Sequence, residues 1–140
     1  MKKSIVTDIK FLKQKSELVR PDEIASILQD LEDSLDLARG CGLSAIQIGI
    51  IKNIAIIRLG EVKLDLVNAY IVEKNDKFRF VGEGCLSLPA LHIDTRRFKE
   101  IKIINNGKEE NYTGLLAVCI LHELDHCIGL TILDRKWKAR

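Results

Sequence analysis

Near the C-terminus, His122, Glu123 and His126 form the pattern H-E-x-x-H, which is typical of a metal site. In a helix, residues four apart lie on one face, about 6 Å apart along the axis, so both imidazoles can bind one ion. Glu123 would lie beside that ion without being a ligand, which suits a general base in metal-assisted hydrolysis. The alternative is a helix that carries two histidines by chance. The chain has only 3 histidines, so the metal interpretation is favoured.

A metal site of this type needs a third protein ligand. After His126, residues 127–140 contain no His or Glu, and their only acid is Asp134. Cys119 lies on the correct face of the predicted helix, but it is about 10 Å from His126 along the axis, too far to share an ion with ligand bonds of about 2.0 to 2.3 Å. Cys119 is therefore excluded as a ligand. The remaining candidates lie upstream: Cys41, Cys85 and His92.

Cys85 lies in the stretch FVGEGCLSLP, after an apolar run and before Pro89. Its neighbour Gly84 would let the backbone come close to another group. Taken alone, Cys85 fits a small buried hydrophobe at a strand end. Beside a histidine pair that lacks a third ligand, a thiolate ligand is favoured, and it would give a Cys/His/His site with water in the fourth position.

Composition limits the classes of function. With 140 residues, the chain is expected to form a single domain, residues 1–140. Its 22 Lys and Arg against 20 Asp and Glu create no overall field that would attract nucleic acid or an acidic membrane. Asp8 and Lys10 interrupt the apolar stretch that a signal peptide requires, and no apolar run is long enough to span a membrane. A cytoplasmic protein is therefore expected, with its 4 cysteines as thiols or metal ligands rather than disulfides.

Hydrophobic periodicity predicts the elements that position these residues. A helix is expected to begin at Pro21 and to keep a 3.6-residue apolar period, through Ala38, until Gly40. Residues 52–112 change to short runs typical of strands, and the sequence Asn-Asn-Gly at 105–107 indicates a hairpin turn.

The last predicted element is a helix from Leu115 to Ile128, with Thr113 as N-cap and Gly129 as C-terminal stop. It is apolar on nearly every side, which is typical of a buried helix. We therefore predict an α+β fold in which antiparallel sheets pack around a central, C-terminal metal-binding helix, with one long amphipathic N-terminal helix.

Three motifs, in this order, resemble those of the peptide deformylase family, metal hydrolases that remove the formyl group from the initiator methionine of nascent chains. They are GCGLSAIQ at 40–47, EGCLS at 83–87 and HELDH at 122–126. The resemblance extends from about Pro21 to about Leu133.

The resemblance implies roles for individual residues. Cys85, His122 and His126 would bind one divalent ion, with a metal-bound water or hydroxide as the fourth ligand. Glu123 would take the proton of that water and return it to the departing amine. Gln47 and the backbone N–H of Leu86 would stabilise the oxyanion. The family points to Fe(II), although a thiolate with two imidazoles also suits Zn(II), Ni(II) or Co(II).

The substrate of the family is an N-formylmethionyl peptide. Its methionine side chain would enter an apolar slot beside the His122 ring, and glycines would let the main chain of an extended peptide approach. The residues expected to bind substrate are Cys41, Gly42, Val81, Gly84, Leu115, Val118 and Cys119. As single residues, Leu115 and Val118 also fit plain core positions.

Some positions depart from the family pattern. Ser44 replaces the commoner Ala, Leu121 replaces a Gln, and Cys41 replaces a branched aliphatic residue. Bacterial members carry a further C-terminal helix implicated in ribosome docking, whereas this sequence stops at Arg140 and resembles short phage forms, so ribosome association is not expected. Two other functions stay open: a general H-E-x-x-H metallopeptidase, and a non-catalytic relative that binds formyl peptides or metal.

Overall fold

The structure, a computed structural model, describes residues 1–37 and 39–138. Two antiparallel three-stranded sheets flank a C-terminal helix that contacts strands of both sheets. This arrangement confirms the predicted α+β architecture. No helix within those two ranges is long and apolar enough to cross a membrane.

The central helix, α3 (Gly114–Cys127), has bounds within a residue of those predicted. Almost every side chain in 117–127 is buried, as its apolar composition indicates. Thr113 occupies the N-cap position, although its side chain makes no capping hydrogen bond. After the helix, Gly129 adopts φ +83°, and its N–H donates to the carbonyl of His126 at 3.1 Å. Gly129 is therefore the C-terminal stop that the sequence predicts.

The first sheet pairs β1 (Gly42–Ser44) with β2 (Ile54–Leu59), and β2 with β3 (Val62–Val67). Strand β2 is buried on both faces, which explains its unbroken apolar sequence. Ala55 and Ile57 face the cluster around α3, whereas the intervening side chains face the second cluster around the N-terminal helix. Because β2 is packed between the two clusters, its neighbour β1 is held against the central helix.

The second sheet consists of β4 (Tyr70–Cys85), β5 (Leu88–Asn105) and β6 (Lys108–Thr113). The turn between β5 and β6 confirms the predicted hairpin, with Asn106 and Gly107 at φ 50° and 81°. Strands β4 and β5 are much longer than the apolar runs in the sequence. Cys85 is the last residue of β4 and pairs with Leu88, so a tight turn holds it over α3.

The N-terminal region differs from the prediction in two ways, an additional short helix and an earlier end of the amphipathic helix. The amphipathic helix α2 (Pro21–Ser34) follows a short helix, α1 (Ile9–Leu12), that the sequence analysis did not predict. Helix α2 ends at Ser34 instead of Gly40, because Leu35 turns into an extended conformation at φ −75° and ψ 121° while still packing on the second cluster. Ala38, predicted as part of this helix, lies outside the described residues.

Candidate metal centre

Three donor side chains meet where the end of β4 crosses α3. One donor atom each from Cys85, His122 and His126 lies within 4.8 Å of the other two. The helix spacing brings the two imidazoles side by side, with ring centroids 5.1 Å apart, and the tight turn places the Sγ atom of Cys85 at 3.4 Å from Nε2 of His126. Tetrahedral metal coordination by sulfur and nitrogen places such atoms roughly 3.5 Å apart, so these residues fit a divalent ion.

The other upstream candidates take different positions. Cys41 and His92 both line the cavity next to the cluster. Within the described ranges, neither belongs to a group of three donors that converge. The geometry thus selects Cys85 among the three cysteine and histidine candidates that the sequence left open.

Glu83 orients His122 from the side opposite to the cluster. Its Oε2 atom lies 2.6 Å from Nδ1 of His122, so a proton on Nδ1 leaves Nε2 available as a ligand. Thr95 donates to Glu83 at 2.6 Å and Arg97 donates twice, at 2.8 and 2.6 Å. Burial opposes the charge of Glu83, but the hydrogen bonds from Arg97 and His122 outweigh it and lower its pKa to about 2. The carboxylate therefore stays ionised.

Arg97 extends this network across the fold. It is 2% exposed, and its Nη1 donates to Asp125 of α3 at 2.8 Å. Arg135, which follows α3, donates to the same carboxylate at 3.1 and 2.9 Å. One buried guanidinium thus ties β4, β5 and α3 together behind the histidines. Arg97, Thr95 and Arg135 were missed by sequence reasoning, because no local pattern in a polar run indicates which distant carboxylate an arginine will meet.

Glu123 lies on the cavity side of the cluster and is 3% exposed. Burial raises its pKa to about 7, against the opposing effect of His122. In the described part of the chain, its Oε1 atom finds no hydrogen-bond partner. Gly42 makes room for this carboxylate, since a Cβ atom there would come within 2.8 Å of Oε2. A buried carboxylate with an unused oxygen beside a metal cluster can take up a proton from a bound water.

Gln47 is held in a short 3₁₀ turn (Ala45–Ile48) and is 1% exposed. Its Oε1 accepts hydrogen bonds from the backbone and the hydroxyl of Ser44, both at 3.1 Å. Its Nε2 donates to Ser87 at 3.0 Å and lies 3.7 Å from Sγ of Cys85. One amide hydrogen of Gln47 is thus engaged by Ser87, and the other donates a long hydrogen bond to the sulfur of Cys85 in the cluster. Leu86, between Cys85 and Ser87, lies in the turn that lines the same cavity.

A cavity of about 530 Å³ opens onto the cluster. It contains most of the residues predicted to contact substrate, namely Cys41, Gly42, Gly84, Leu115, Val118 and Cys119. Val81 does not belong to its wall and is 73% exposed. Side chains alternate along a strand, and Phe80 and Gly82 face the cavity on either side of Val81. A register shift between Phe80 and Glu83 then restores Glu83 to the buried side.

Two free thiols meet in the cavity wall. The Sγ atoms of Cys41 and Cys119 lie 2.6 Å apart. The hydrogen bond with Cys119, partly opposed by burial, lowers the pKa of Cys41 to about 7. The same contact and burial raise the pKa of Cys119. Cys41 is therefore the more acidic thiol of the pair.

Known proteins with the same architecture are peptide deformylases. A sequence model of the family described as polypeptide deformylase matches residues 2–140. A peptide deformylase of Natranaerobius thermophilus is 37% identical over 143 aligned residues, covering 96% of this chain and 92% of that protein. Peptide deformylase 2 of Clostridium acetobutylicum is 36% identical and covers 92% and 91%.

Solved structures agree with the sequence relatives. The crystal structure of peptide deformylase from Thermotoga maritima superimposes with a TM-score of 0.90 at 25% identity, over 99% of each chain. A peptide deformylase from Synechococcus elongatus in complex with actinonin gives a TM-score of 0.85 at 31% identity, over 99% of this chain and 79% of that one. With the family model spanning nearly its whole length, this chain belongs to the peptide deformylase family.

Proposed function

We propose that this chain hydrolyses the formamide bond of N-formylmethionyl peptides, releasing formate and a peptide with a free amino group. The observation that supports it most directly is the position of Glu123, a buried carboxylate in the wall of the same cavity as Cys85 and His122. Family membership supports the same reaction.

Cys85, His122 and His126 would hold the divalent ion, for which Fe(II) is proposed and Zn(II), Ni(II) or Co(II) also suit the mixed donor set. Such an ion, when bound, lowers the pKa of a water and polarises the formyl carbonyl. Glu83 keeps His122 in the tautomer that presents Nε2, through the 2.6 Å contact at Nδ1. Arg97 and Thr95 hold Glu83 in place.

Glu123 carries the proton in this proposal. Its carboxylate accepts a proton from the attacking water at Oε1 and then donates it to the nitrogen of the departing amine. Before an ion is bound, burial raises the pKa of Glu123 to about 7, which makes its carboxylate a stronger base than that of an exposed glutamate.

Gln47 and the backbone N–H of Leu86 are proposed to stabilise the oxyanion. Nε2 of Gln47 donates to Ser87 at 3.0 Å and to Sγ of Cys85 at 3.7 Å, and a substrate oxygen at the cluster would replace the long bond to sulfur. Such a donor contributes about 3 to 4 kcal/mol to the transition state in related sites. Ser44 fixes the opposite end of the amide, which keeps Nε2 of Gln47 directed at the cluster.

The substrate's methionine side chain is proposed to lie against four apolar or thiol side chains: Cys41, Leu115, Val118 and Cys119. Leu115 is 51% exposed, so the outer end of this surface is open to solvent, while Cys119 at 6% forms its floor. An unbranched thioether suits this surface, since it can bend along an irregular wall. Gly84 is proposed to let the peptide backbone approach β4.

The test compares formyl-Met-Ala-Ser with acetyl-Met-Ala-Ser and unblocked Met-Ala-Ser, using protein loaded with one metal. Formate release from the formyl peptide alone is the expected result. Cleavage of the Met–Ala bond in either control peptide would instead indicate a general metallopeptidase. Binding of the formyl peptide without turnover would indicate a non-catalytic relative.

A further inference from the structure

Cys41 and Cys119 form a pair of thiols that the proposed hydrolysis does not need as nucleophiles. They are 78 positions apart in sequence, yet their Sγ atoms are 2.6 Å apart. Cys119 lies on the central helix, and Cys41 directly precedes β1. The carbonyl of Cys41 accepts a hydrogen bond from the Arg58 N–H at 2.6 Å, which fixes its backbone to β2. The two sulfurs are thus held together by the elements that build the core.

We propose that Cys41 and Cys119 are an oxidative modification site, at which a hydroperoxide joins the two sulfurs in a reversible disulfide. Disulfide sulfurs are about 2.05 Å apart, so an approach of roughly 0.5 Å is enough.

The reaction balances with hydrogen peroxide as the oxidant. The Cys41 sulfur attacks the peroxide, so that an S–O bond forms, the O–O bond breaks and the hydroxide released takes up the thiol proton as water. The Cys119 sulfur then attacks the sulfenic acid of Cys41, forming the S–S bond and releasing a second water. Two electrons pass from the sulfurs to the peroxide, and a dithiol reverses the change.

Exposure favours Cys41 as the first sulfur to react. Cys41 is only partly buried, whereas Cys119 is 6% exposed behind it. Both line the 530 Å³ cavity, which admits a molecule the size of hydrogen peroxide. Cys127 is 2% exposed and lies away from this cavity. Cys85 also lines it, but its Sγ atom faces His126 at 3.4 Å in the proposed ligand set.

The disulfide would join the first sheet to the central helix across a long segment of chain. A cross-link of this length strongly restricts the unfolded state. We therefore expect the oxidised protein to unfold about 10 °C above the reduced protein.

The test uses zinc-loaded protein treated with hydrogen peroxide at near-stoichiometric amounts, then alkylated under denaturing conditions and digested with trypsin. Cleavage after Lys and Arg places Cys41 in peptide 40–52, Cys85 in 80–96, and both Cys119 and Cys127 in 109–135. Peptides 40–52 and 109–135 should appear joined, with one alkylating group on Cys127 and otherwise two hydrogens lighter than their sum, and should separate again after dithiothreitol. Peptide 80–96 should carry the alkylating group.

Matched variants assign the sulfur within peptide 109–135. The cross-link and the rise in unfolding temperature should persist in Cys127→Ala and disappear in Cys41→Ala. If Cys41→Ala does not fold, fragment ions of the cross-linked parent peptide make the same assignment. A cross-link to peptide 80–96, a cross-link through Cys127, or oxidation of Cys85 alone would overturn the proposal.

Discussion

Cys85 and Cys119 are two thiols in one cavity with different proposed roles. Only Cys85 belongs to the group of converging donors, while Cys119 faces Cys41. Replacing Cys85 by Ser exchanges a soft thiolate for a hydroxyl, which is a weak ligand for these metals. Bound metal should therefore fall more than about tenfold in Cys85→Ser, measured by elemental analysis after dialysis, in line with the dependence of such sites on their thiolate.

The matched control is Cys119→Ser, which should retain the metal content of the parent. If Cys85→Ser binds as much metal as the parent, or if both variants lose the same amount of bound metal, the third ligand has been misassigned.

Residue types and spacing were sufficient to single out the histidine pair at the centre, and they favoured Cys85 over Cys41 and His92 as the third ligand without excluding either. His122 and His126 are separated by one helical turn, and the absence of a downstream ligand directed the search for the third ligand upstream. The convergence of the donor atoms then selected Cys85. The residues behind the centre could not be predicted in this way. Arg97 contacts Glu83 and Asp125 only after three elements have packed, so the contact has no local sequence signal. Val81 is exposed and lies outside the cavity wall, because strand alternation decides which residues of β4 face the cavity; its proposed contact with substrate stays a prediction.

At the level of elements, buried ion pairs of Arg97 join β4, β5 and α3, and their contribution to the free energy of unfolding depends on pH. In the folded chain the pKa of Glu83 is about 2, below its ordinary value of 4.5. A carboxyl whose pKa is lower in the folded state stabilises the fold above its unfolded pKa, and this contribution is lost as the pH falls through the folded pKa. The ionised Glu83 should therefore contribute about 3 kcal/mol above pH 4.5, an order-of-magnitude figure, and lose it between about pH 4.5 and 2.

Urea unfolding of the metal-free parent and of Glu83→Gln across this pH range measures the contribution. The difference in unfolding free energy between the two proteins should shrink as the pH falls, since only the parent has the titrating carboxylate. A difference that stays constant from pH 4.5 to 2 would contradict the role given to the ion pair with Arg97.

The elements themselves were predictable to different degrees. Helix α3 has uniform apolar character and a terminal glycine, so both bounds were predicted closely. Helix α2 ends before its apolar period does, because Leu35 packs on the same cluster from an extended conformation. Strands β4 and β5 pair over their whole length in an antiparallel ladder, which extends them far beyond their apolar runs. The hydrophobic pattern of a sequence indicates which residues are buried. The ends of α2, β4 and β5 depend instead on strand pairing and on the conformation that leads to the next element.

For the whole molecule, the proposed metal would link regions that the chain brings together only on folding. Cys85 comes from the second sheet and the histidines from the central helix, so the unfolded chain has no preformed site. An ion in about thousandfold excess over its dissociation constant would stabilise the native state by about 4 kcal/mol. Removing it with a chelator should lower the unfolding temperature by about 8 to 16 °C, measured by calorimetry.

Adding Zn(II) back should restore the unfolding temperature of the parent, and Cys85→Ser should show little response to either treatment. If the chelator removes the metal but the unfolding temperature does not change, the metal does not bridge the sheet and the helix.

In the proposed hydrolysis, Cys85 and the two histidines bind the metal, and Glu123 transfers the proton without binding the metal. The variant Glu123→Gln tests this division of roles most directly. Glutamine keeps the size of the side chain beside Gly42 but cannot accept the proton of the attacking water. The variant should keep the metal content and formyl-Met-Ala-Ser affinity of the parent, while kcat falls by about two to four orders of magnitude. A metal-free variant would show that Glu123 is a ligand, and a variant with the parent's kcat would show that another group carries the proton.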